Sequence, residues 1–178
     1  YFKVDVKYLL TDTDACKFSV LLMLLSGMRI GELCALQWGN INIREQTIRI
    51  TATLQRLHDT ALTSENHTRI VIGAPKSDTS LRTIPITDYA AGLCRQFETR
   101  NTAAYVLTGT EKYMEPLTLQ YRIEKYTREC GLEGVHAHTL RHTFATRAVE
   151  VGFEIKSLSE VLGHANTSIT LERYVHSS

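Results

Sequence analysis

Six side chains spread along the sequence are of the types that can attack a phosphodiester without a metal ion. Such an attack needs a nucleophile, a proton donor for the leaving oxygen, and positive groups that stabilise the charge on the phosphate oxygens. Arginine suits the last task because its planar guanidinium donates two hydrogen bonds and stays charged. A tyrosine among cationic donors is a competent nucleophile, and a lysine with a lowered pKa can protonate a departing oxygen. The six residues are Arg29, Lys76, His138, Arg141, His164 and Tyr174.

The positions of these residues indicate how several of them can meet at one ligand. His138 and Arg141 are three residues apart at the start of a predicted helix, so they project from one face. Gly163 stands at a predicted helix end, where a glycine can adopt a left-handed conformation and turn His164 off the helix axis. Lys76 lies in a polar loop between two predicted strands, a place from which it can reach into a groove.

Each residue taken alone also has an ordinary interpretation. A single arginine is most often solvated or salt-bridged at the surface. Tyr174 is one of eight tyrosines, and most tyrosines are amphipathic packing residues. A histidine near a helix end, such as His164, can simply complement the helix dipole. The chemical hypothesis therefore depends on the whole set occurring together.

A metal site is the main alternative use of the histidines. His138 and His142 are four residues apart, but Thr139 follows His138 where a zinc protease carries glutamate. No second cluster has metal-like spacing. Because His142 is next to Arg141 on the predicted helix, it is predicted to point elsewhere and to be a structural histidine. The sequence also lacks a phosphate-cradling Gly-rich loop and a dinucleotide fingerprint. We therefore expect a reaction that uses no metal, ATP or NAD.

Helices must position most of the six residues. Thr13-Asp14 predicts the cap of a mostly apolar helix over residues 15–25, which Ser26-Gly27 ends. A short helix over residues 30–37 places Arg29 at its N-terminal end, with Glu32 one turn later. Caps and glycines predict five further helices, over residues 88–100, 118–130, 139–151, 155–162 and 167–174.

Three β-branched runs, at residues 47–53, 68–72 and 81–86, predict a small antiparallel sheet. The polar segment 58–67 joins the first two runs, and the loop 73–80 with Lys76 joins the last two. Residues 38–42 are predicted to form a turn, and residues 105–107 a short extended piece. The sequence therefore predicts an α+β fold, mainly helical, with a small three-stranded antiparallel sheet.

Composition places the chain among ordinary globular proteins. With 178 residues, 43% of them hydrophobic and 22% charged, it fits one domain with a sizeable core. Its formal net charge is only +1, so any surface that binds DNA must be locally basic. The four scattered cysteines predict reduced thiols of a cytosolic protein, and no apolar run is long enough to span a bilayer. The start without methionine predicts a fragment whose upstream domain is missing.

Five motifs, taken together and in order, closely resemble the catalytic domain of tyrosine recombinases, the phage-integrase family. Any one of these motifs is weak evidence, but the set extends over nearly the whole chain, from about residue 15 to residue 174. The motifs are Gly27-Met28-Arg29-Ile30-Gly31-Glu32-Leu33, Lys76 between strands, His138-Thr139-Leu140-Arg141-His142-Thr143-Phe144-Ala145-Thr146, Leu162-Gly163-His164, and Tyr174.

The resemblance implies a catalytic domain over residues 1–178 that breaks and rejoins DNA. It implies that Arg29 and Arg141 hold the scissile phosphate, that His164 donates a hydrogen bond to it, and that His138 acts as acid and base or as a phosphate donor. We expect an upstream DNA-binding domain outside this chain.

The resemblance also implies the covalent chemistry. Tyr174 forms a 3′-phosphotyrosine, and Lys76 acts as general acid toward the 5′-hydroxyl. Glu32 is expected to steady the site without reacting. Because the phosphotyrosine preserves the energy of the broken bond, resealing is expected to need neither ATP nor a divalent metal. Four residues follow Tyr174, so a tail that packs onto a neighbouring subunit, as in relatives, is short or absent from this chain.

The expected partners are double-stranded DNA at specific recombination sites, a homo-tetramer of the full-length protein on that DNA, and accessory DNA-bending or directionality factors. The expected location is the bacterial cytoplasm, on DNA and away from the membrane. The polar segment 58–67 favours a mobile-element integrase over a chromosome-resolving enzyme. Two alternatives stay open: a type IB topoisomerase, which typically carries lysine at the place of His138, and a non-catalytic DNA-binding regulator with the same fold.

Overall fold

An apolar helix, α1 (Ala15–Ser26), lies at the centre of the fold. The structure is a computed structural model that describes residues 14–58, 68–74 and 80–175. The Oδ1 atom of Asp14 caps this helix by accepting hydrogen bonds of 2.8 Å from the backbone N–H groups of Cys16 and Lys17. Most of its side chains are buried, and the helix ends at Gly27. The predicted cap at Asp14, the end of the helix and its central position are confirmed.

The five strands that the structure describes lie in the first half of the chain, and the second half is helical. After the short helix α2 (Ile30–Ala35) and a 3₁₀ turn (Trp38–Asn40) come β1 (Ile41–Asn42), β2 (Thr47–Ile50), β3 (Thr53–His58), β4 (Thr68–Gly73) and β5 (Arg82–Pro85). The second half is helical, with α3 (Asp88–Phe97), α4 (Pro116–Glu129), α5 (Ala137–Glu150), α6 (Ile155–Leu162) and α7 (Thr167–Thr170), and it ends in a π-helical turn (Leu171–Val175). The predicted mainly helical α+β class is confirmed.

Packing around α1 brings distant parts of the chain together. α1 contacts α3, α4 and α5, and its Phe18 ring stacks on Phe97 at 4.6 Å and on Trp38 at 6.5 Å between ring centroids. α6 packs between β5, α5 and α7. The starts of α2, β5 and α5 therefore meet the end of α6.

The strands form two sheets, which corrects the predicted arrangement of strands. β1, β2 and β5 make a three-stranded antiparallel sheet in that order, whereas β3 and β4 pair only with each other among the described residues. The predicted run 47–53 is interrupted at residues 51–52, so its continuation becomes a separate hairpin that packs on α2. The run 68–72 belongs to this hairpin and not to the three-stranded sheet.

Several predicted elements differ from the structure in type or in length. Of residues 38–42, predicted as a turn, Trp38–Asn40 form a 3₁₀ turn but Ile41–Asn42 form strand β1. In the predicted extended piece 105–107, Tyr105 forms an isolated bridge with Gln37 and the next residues turn. The helices predicted over 30–37 and 88–100 end earlier, at Ala35 and Phe97, and the last helix becomes a π-helical turn after Thr170.

The helix predicted over residues 155–162 is confirmed at both ends. The helices predicted over 118–130 and 139–151 begin two residues earlier and end one residue earlier. Among the residues that the structure describes, none of the helices is long and apolar enough to cross a membrane.

Candidate active site

Four of the six predicted residues line one cavity of about 330 Å³. Arg29 precedes α2, His138 and Arg141 lie in the first turns of α5, and His164 follows the end of α6. The helix starts and the turned helix end thus place two arginines and two histidines around one space. The cavity lining is completed by Ser80, Gly163, Ala165, Ile169 and Arg173.

Arg29 is held at the cavity by two oriented hydrogen bonds. Its Nη1 donates to Glu32 Oε1 at 2.9 Å, and its Nη2 donates to the carbonyl oxygen of Gly163 at 3.0 Å. The backbone N–H of Arg29 also donates to Glu32 Oε2, at 2.8 Å. The side chain remains 40% exposed, so its remaining N–H groups can reach a ligand. The predicted supporting position of Glu32 agrees with these contacts.

Glu32 is a buried carboxylate between two arginines. It is 2% exposed, and besides Arg29 it accepts hydrogen bonds from both terminal nitrogens of Arg82, at 2.8 and 2.9 Å. Burial raises the pKa of Glu32, but the hydrogen bonds and charges of Arg82 and Arg29 outweigh it and hold the pKa below its ordinary value. Glu32 is therefore ionised at neutral pH.

Arg141 is buried and connects two chain segments. Its Nη1 donates to the carbonyl oxygen of Gly27 and its Nη2 to that of Leu162, both at 2.7 Å. Burial and the nearby charge of Arg29 lower the pKa of Arg141 to about 10, so the guanidinium still carries its charge at neutral pH. A desolvated cation at the wall of a cavity is a strong attractor for an anion.

His164 is neutral at physiological pH, and its tautomer follows from its partners. Burial, together with the charges of Arg141 and Arg29, lowers the pKa of His164 to about 4. Its Nε2 lies 3.1 Å from Nη2 of Arg141, which can only donate, so Nε2 is the acceptor. Nδ1 then carries the proton and donates to Thr170 Oγ1 at 2.8 Å. In this arrangement His164 orients Arg141.

His138 faces the cavity from the first turn of α5 and is exposed. Partial burial and the charges of Arg173 and Arg141 lower the pKa of His138. Arg141, three residues later, lines the same cavity, so the expectation that both project from one face of the helix is confirmed. A neutral imidazole beside cations can accept a proton and return it.

Tyr174 is buried beside His164, which lines the cavity. It is 2% exposed, packs with Leu158 and Leu162, and is absent from the cavity lining, unlike the other predicted residues that the structure describes. Its ring is parallel to that of His164, with 6.4 Å between centroids. The ring of His142 lies 5.1 Å from it, so His142, predicted to point away from the site, contacts the predicted nucleophile. The π-helical turn (Leu171–Val175) carries Tyr174, whose charge acts on the guanidinium of Arg141 and, against the larger effect of burial, raises the pKa of that arginine.

Lys76 and most of the polar segment 58–67 lie outside the described residues. The nearest described residue on the far side of the Lys76 loop is Ser80, which is 8% exposed and lines the cavity. The position predicted for Lys76 therefore stays a prediction.

Two arginines at the site were missed by the sequence analysis. Arg82 begins β5 and shares its face with the fully buried Ile84, so the alternation of the strand points a charged residue inward. That alternation, with Glu32 as a partner, was the available signal. Arg173 precedes Tyr174 and lines the cavity, but a lone exposed arginine carries no distinguishing pattern.

A second cavity, of about 440 Å³, has the wrong chemistry for a phosphate. Its lining is mostly apolar, with Leu24, Phe144, Val151 and Phe153 among its residues. Phosphate oxygens need charged or N–H donors, which the smaller cavity supplies. Within residues 14–58, 68–74 and 80–175, no three histidine, cysteine or carboxylate side chains are placed to hold a metal ion.

Gly163 is needed for the turn that directs His164, and we expect Gly163→Ala to destabilise the protein. Its φ of +65° is left-handed, and a Cβ there would lie 3.0 Å from Nη1 of Arg82. The backbone strain costs about 1–2 kcal/mol, which is about 2–8 °C in Tm. Thermal unfolding would measure it.

The matched control for Gly163→Ala is Gly152→Ala. Gly152 has a φ of +80°, but nothing lies within 4 Å of the position that a Cβ would take there, so this variant has the strain without the contact. We expect the smaller loss of Tm for Gly152→Ala. Equal losses would show that the approach to Arg82 contributes nothing.

Comparison with known proteins gives one consistent result. The model of the phage integrase family matches residues 7–178. The chain is 26% identical over 167 residues to a tyrosine recombinase XerC-like protein of Caldanaerobacter subterraneus subsp. tengcongensis, covering 85% of this chain and 43% of that protein. The chain therefore spans about half the length of the curated relatives it matches.

Solved structures share the fold at low sequence identity. One is the Tn1549 transposon integrase in complex with transposon right end DNA, with a TM-score of 0.77 and 20% identity over 99% of this chain and 61% of that one. Another is the XerA recombinase, with a TM-score of 0.69 and 20% identity over 98% of this chain and 59% of that one. At these identities the likeness gives the arrangement of the elements.

Proposed function

Because the chain belongs to the phage integrase family, we propose that it is the catalytic domain of a tyrosine site-specific recombinase that cleaves and rejoins DNA strands. The observation that carries the proposal is the convergence of Arg29, Arg141, His138 and His164 on one cavity. Two guanidiniums that present N–H groups to the same space match the two non-bridging oxygens of a phosphodiester.

In the proposed reaction Arg29 and Arg141 hold the scissile phosphate. Their positions are fixed by protein carbonyls and Glu32 before DNA arrives, so their charges act on the developing negative charge without reorganisation. An anion beside His164 favours the protonated imidazole. His164 then exchanges its acceptor contact with Arg141 for a donated hydrogen bond to the phosphate.

Tyr174 is the proposed nucleophile. Its Oη forms a bond to phosphorus while the bond from phosphorus to the 5′-oxygen breaks, which leaves a 3′-phosphotyrosine and a free 5′-hydroxyl. The tyrosine proton passes to His138, and Lys76 protonates the departing oxygen. Attack by a 5′-hydroxyl from the partner duplex reverses these steps and completes strand exchange without ATP or a metal.

The full-length protein is proposed to bind a specific duplex site as a homo-tetramer in the bacterial cytoplasm, with accessory DNA-bending or directionality factors. The relatives it matches are about twice as long as this chain, which supports an additional DNA-binding domain outside residues 1–178. Such a domain would supply groove contacts that read sequence, since a domain with a formal charge of +1 gains little affinity from phosphate contacts alone. The Tn1549 integrase fold likeness supports a mobile element as the source.

The proposal is tested by trapping the covalent intermediate. The full-length protein is incubated in EDTA with a random-sequence library of nicked suicide duplexes, from which cleavage lets a short strand diffuse away and blocks resealing. We expect a denaturation-resistant protein–DNA adduct that selects one sequence from the library. If no adduct forms with any duplex, the enzymatic proposal is wrong and a non-catalytic DNA-binding role is favoured.

The DNA products of the reaction then distinguish recombinase activity from topoisomerase activity. With two duplexes that carry the selected site, a recombinase yields exchanged strands, whereas a topoisomerase only relaxes supercoils. Relaxation of plasmids without that site, and without exchange, would replace the recombinase assignment with the topoisomerase one.

A further inference from the structure

Arg82 is a buried arginine beneath the candidate site, and all three of its side-chain nitrogens donate hydrogen bonds. Nη1 and Nη2 contact the two carboxylate oxygens of Glu32, and Nε donates to the carbonyl oxygen of Val161 at 2.6 Å. Nη1 also donates to the carbonyl oxygen of Ser80 at 3.1 Å. The side chain is 6% exposed, so it lies out of reach of a DNA backbone.

The charges around Glu32 determine what Arg29 can offer a ligand. Glu32 Oε1 accepts hydrogen bonds from both Arg29 and Arg82, so one carboxylate faces two guanidiniums. The three groups together carry one net positive charge. Without Arg82, the buried carboxylate would be paired with Arg29 alone, and that pair would be neutral. The Arg82 and Glu32 side chains are buried, so this difference of one charge is screened less than it would be in water.

Arg82 also supports the second contact of Arg29. It bonds the carbonyl of Val161, and its guanidinium lies against Gly163, where a Cβ would approach within 3.0–3.1 Å. The carbonyl oxygen of Gly163 is the acceptor of Arg29 Nη2. Both groups that orient Arg29 are therefore in contact with Arg82.

We propose that Arg82 is a positioning residue whose charge neutralises Glu32 and thereby leaves the charge of Arg29 available to the DNA phosphate. This inference rests on the proposed function, because it takes the ligand of the cavity to be a phosphodiester. Arg82 would thus affect phosphate binding although its buried side chain does not contact the DNA.

The test is the salt dependence of DNA binding by the full-length protein, measured in a Tyr174→Phe background so that no cleavage occurs. The slope of log affinity against log salt changes by about 0.9 for each phosphate contact on duplex DNA. We expect Arg82→Gln to reduce the slope by about that amount, and Arg29→Gln to reduce it equally. Adding Glu32→Gln to Arg82→Gln removes the carboxylate, frees Arg29 and is expected to restore the slope.

The control is Arg147→Gln, which removes an arginine from an exposed ion pair with Glu150 and should leave the slope unchanged. If Arg82→Gln does not fold, Arg82→Lys takes its place, because lysine keeps the charge and loses only part of the hydrogen bonding. The inference requires the slope of Arg82→Lys to be close to that of the parent. An unchanged slope in Arg82→Gln, a double variant no better than the single one, or a lost slope in a folded Arg82→Lys would each overturn it.

Cleavage assays distinguish this failure from failure of the proposed function. In the Tyr174 protein, Arg82→Gln is expected to slow adduct formation at least tenfold, and the double variant to recover most of that loss. An Arg82→Gln protein that cleaves at the parental rate contradicts the inference and leaves the proposed function standing. A reduced salt slope in a protein that never forms an adduct supports the inference and contradicts the proposed function.

Discussion

Replacing Tyr174 with phenylalanine is expected to abolish the covalent protein–DNA adduct while leaving equilibrium binding to the same duplex unchanged. The substitution removes the hydroxyl that would bond to phosphorus and keeps the ring that packs against His142 and His164. Loss of a covalent nucleophile lowers the rate by at least about 10³-fold, since no other group replaces it. The adduct is measured by denaturing gel electrophoresis of labelled suicide DNA.

The matched control is Tyr121→Phe in α4. Tyr121 is 64% exposed, so its hydroxyl can be removed without disturbing the core, and adduct formation should continue at the parental rate. An adduct that persists in Tyr174→Phe would place the nucleophile elsewhere. An adduct lost from both variants would point to a general defect and not to the chemistry of Tyr174.

The second large effect is expected from Arg141→Gln, which should slow adduct formation by about 10³-fold or more. Glutamine removes the charge beside the phosphate, and it cannot donate to the carbonyls of Gly27 and Leu162 while also contacting His164. The rate of adduct formation at saturating DNA measures the loss. A rate within tenfold of the parent would remove Arg141 from the proposed phosphate clamp.

Stability is expected to change little in Arg141→Gln, because two effects of similar size oppose each other. Arg141 is 3% exposed, and burial together with the charge of Arg29 lowers its pKa to about 10, which corresponds to a net cost of about 3 kcal/mol for the charged form that the variant relieves. Leaving buried carbonyl acceptors without a donor costs about 1–3 kcal/mol. A thermal unfolding curve close to that of the parent would show that the rate loss is chemical.

Arg29→Gln provides the comparison on the other side of the cavity. Arg29 is 40% exposed and orders few buried groups, so its replacement should reduce cleavage without a measurable change in folding. Similar activity losses in the two variants would support joint action on one phosphate, whereas a loss in only one would assign the phosphate to that arginine.

The sequence was most informative where local signals decide the structure. α6 and its left-handed end at Gly163 could be read from an apolar pattern and one glycine, and the start of α5 placed His138 and Arg141 on one face. These features depend on hydrogen bonds within a few residues. His138 and Arg141 therefore line one cavity, whereas the approach of Arg29 to Gly163 depends on contacts between distant segments.

Features that depend on distant packing could not be read in the same way. Nothing within the run 47–53 shows that its second part leaves the three-stranded sheet, because the hairpin is fixed by β4 and by α2. The burial of Tyr174 depends on Leu158 and on Ala145 in other helices. Arg82 was missed because an inward arginine is costly unless a buried partner exists, and the sequence alone does not place Glu32 beside it.

The bonds that assemble the site span most of the chain, and this has a consequence for protein synthesis. Arg29 contacts the carbonyl of a residue 134 positions later, and Arg141 reaches back 114 positions to Gly27. At about 5–20 residues per second, a ribosome needs about 7–27 s to make the intervening 134 residues. Until Gly163 has been translated, a nascent chain lacks the carbonyl oxygen that accepts a hydrogen bond from Nη2 of Arg29, so the candidate site is incomplete.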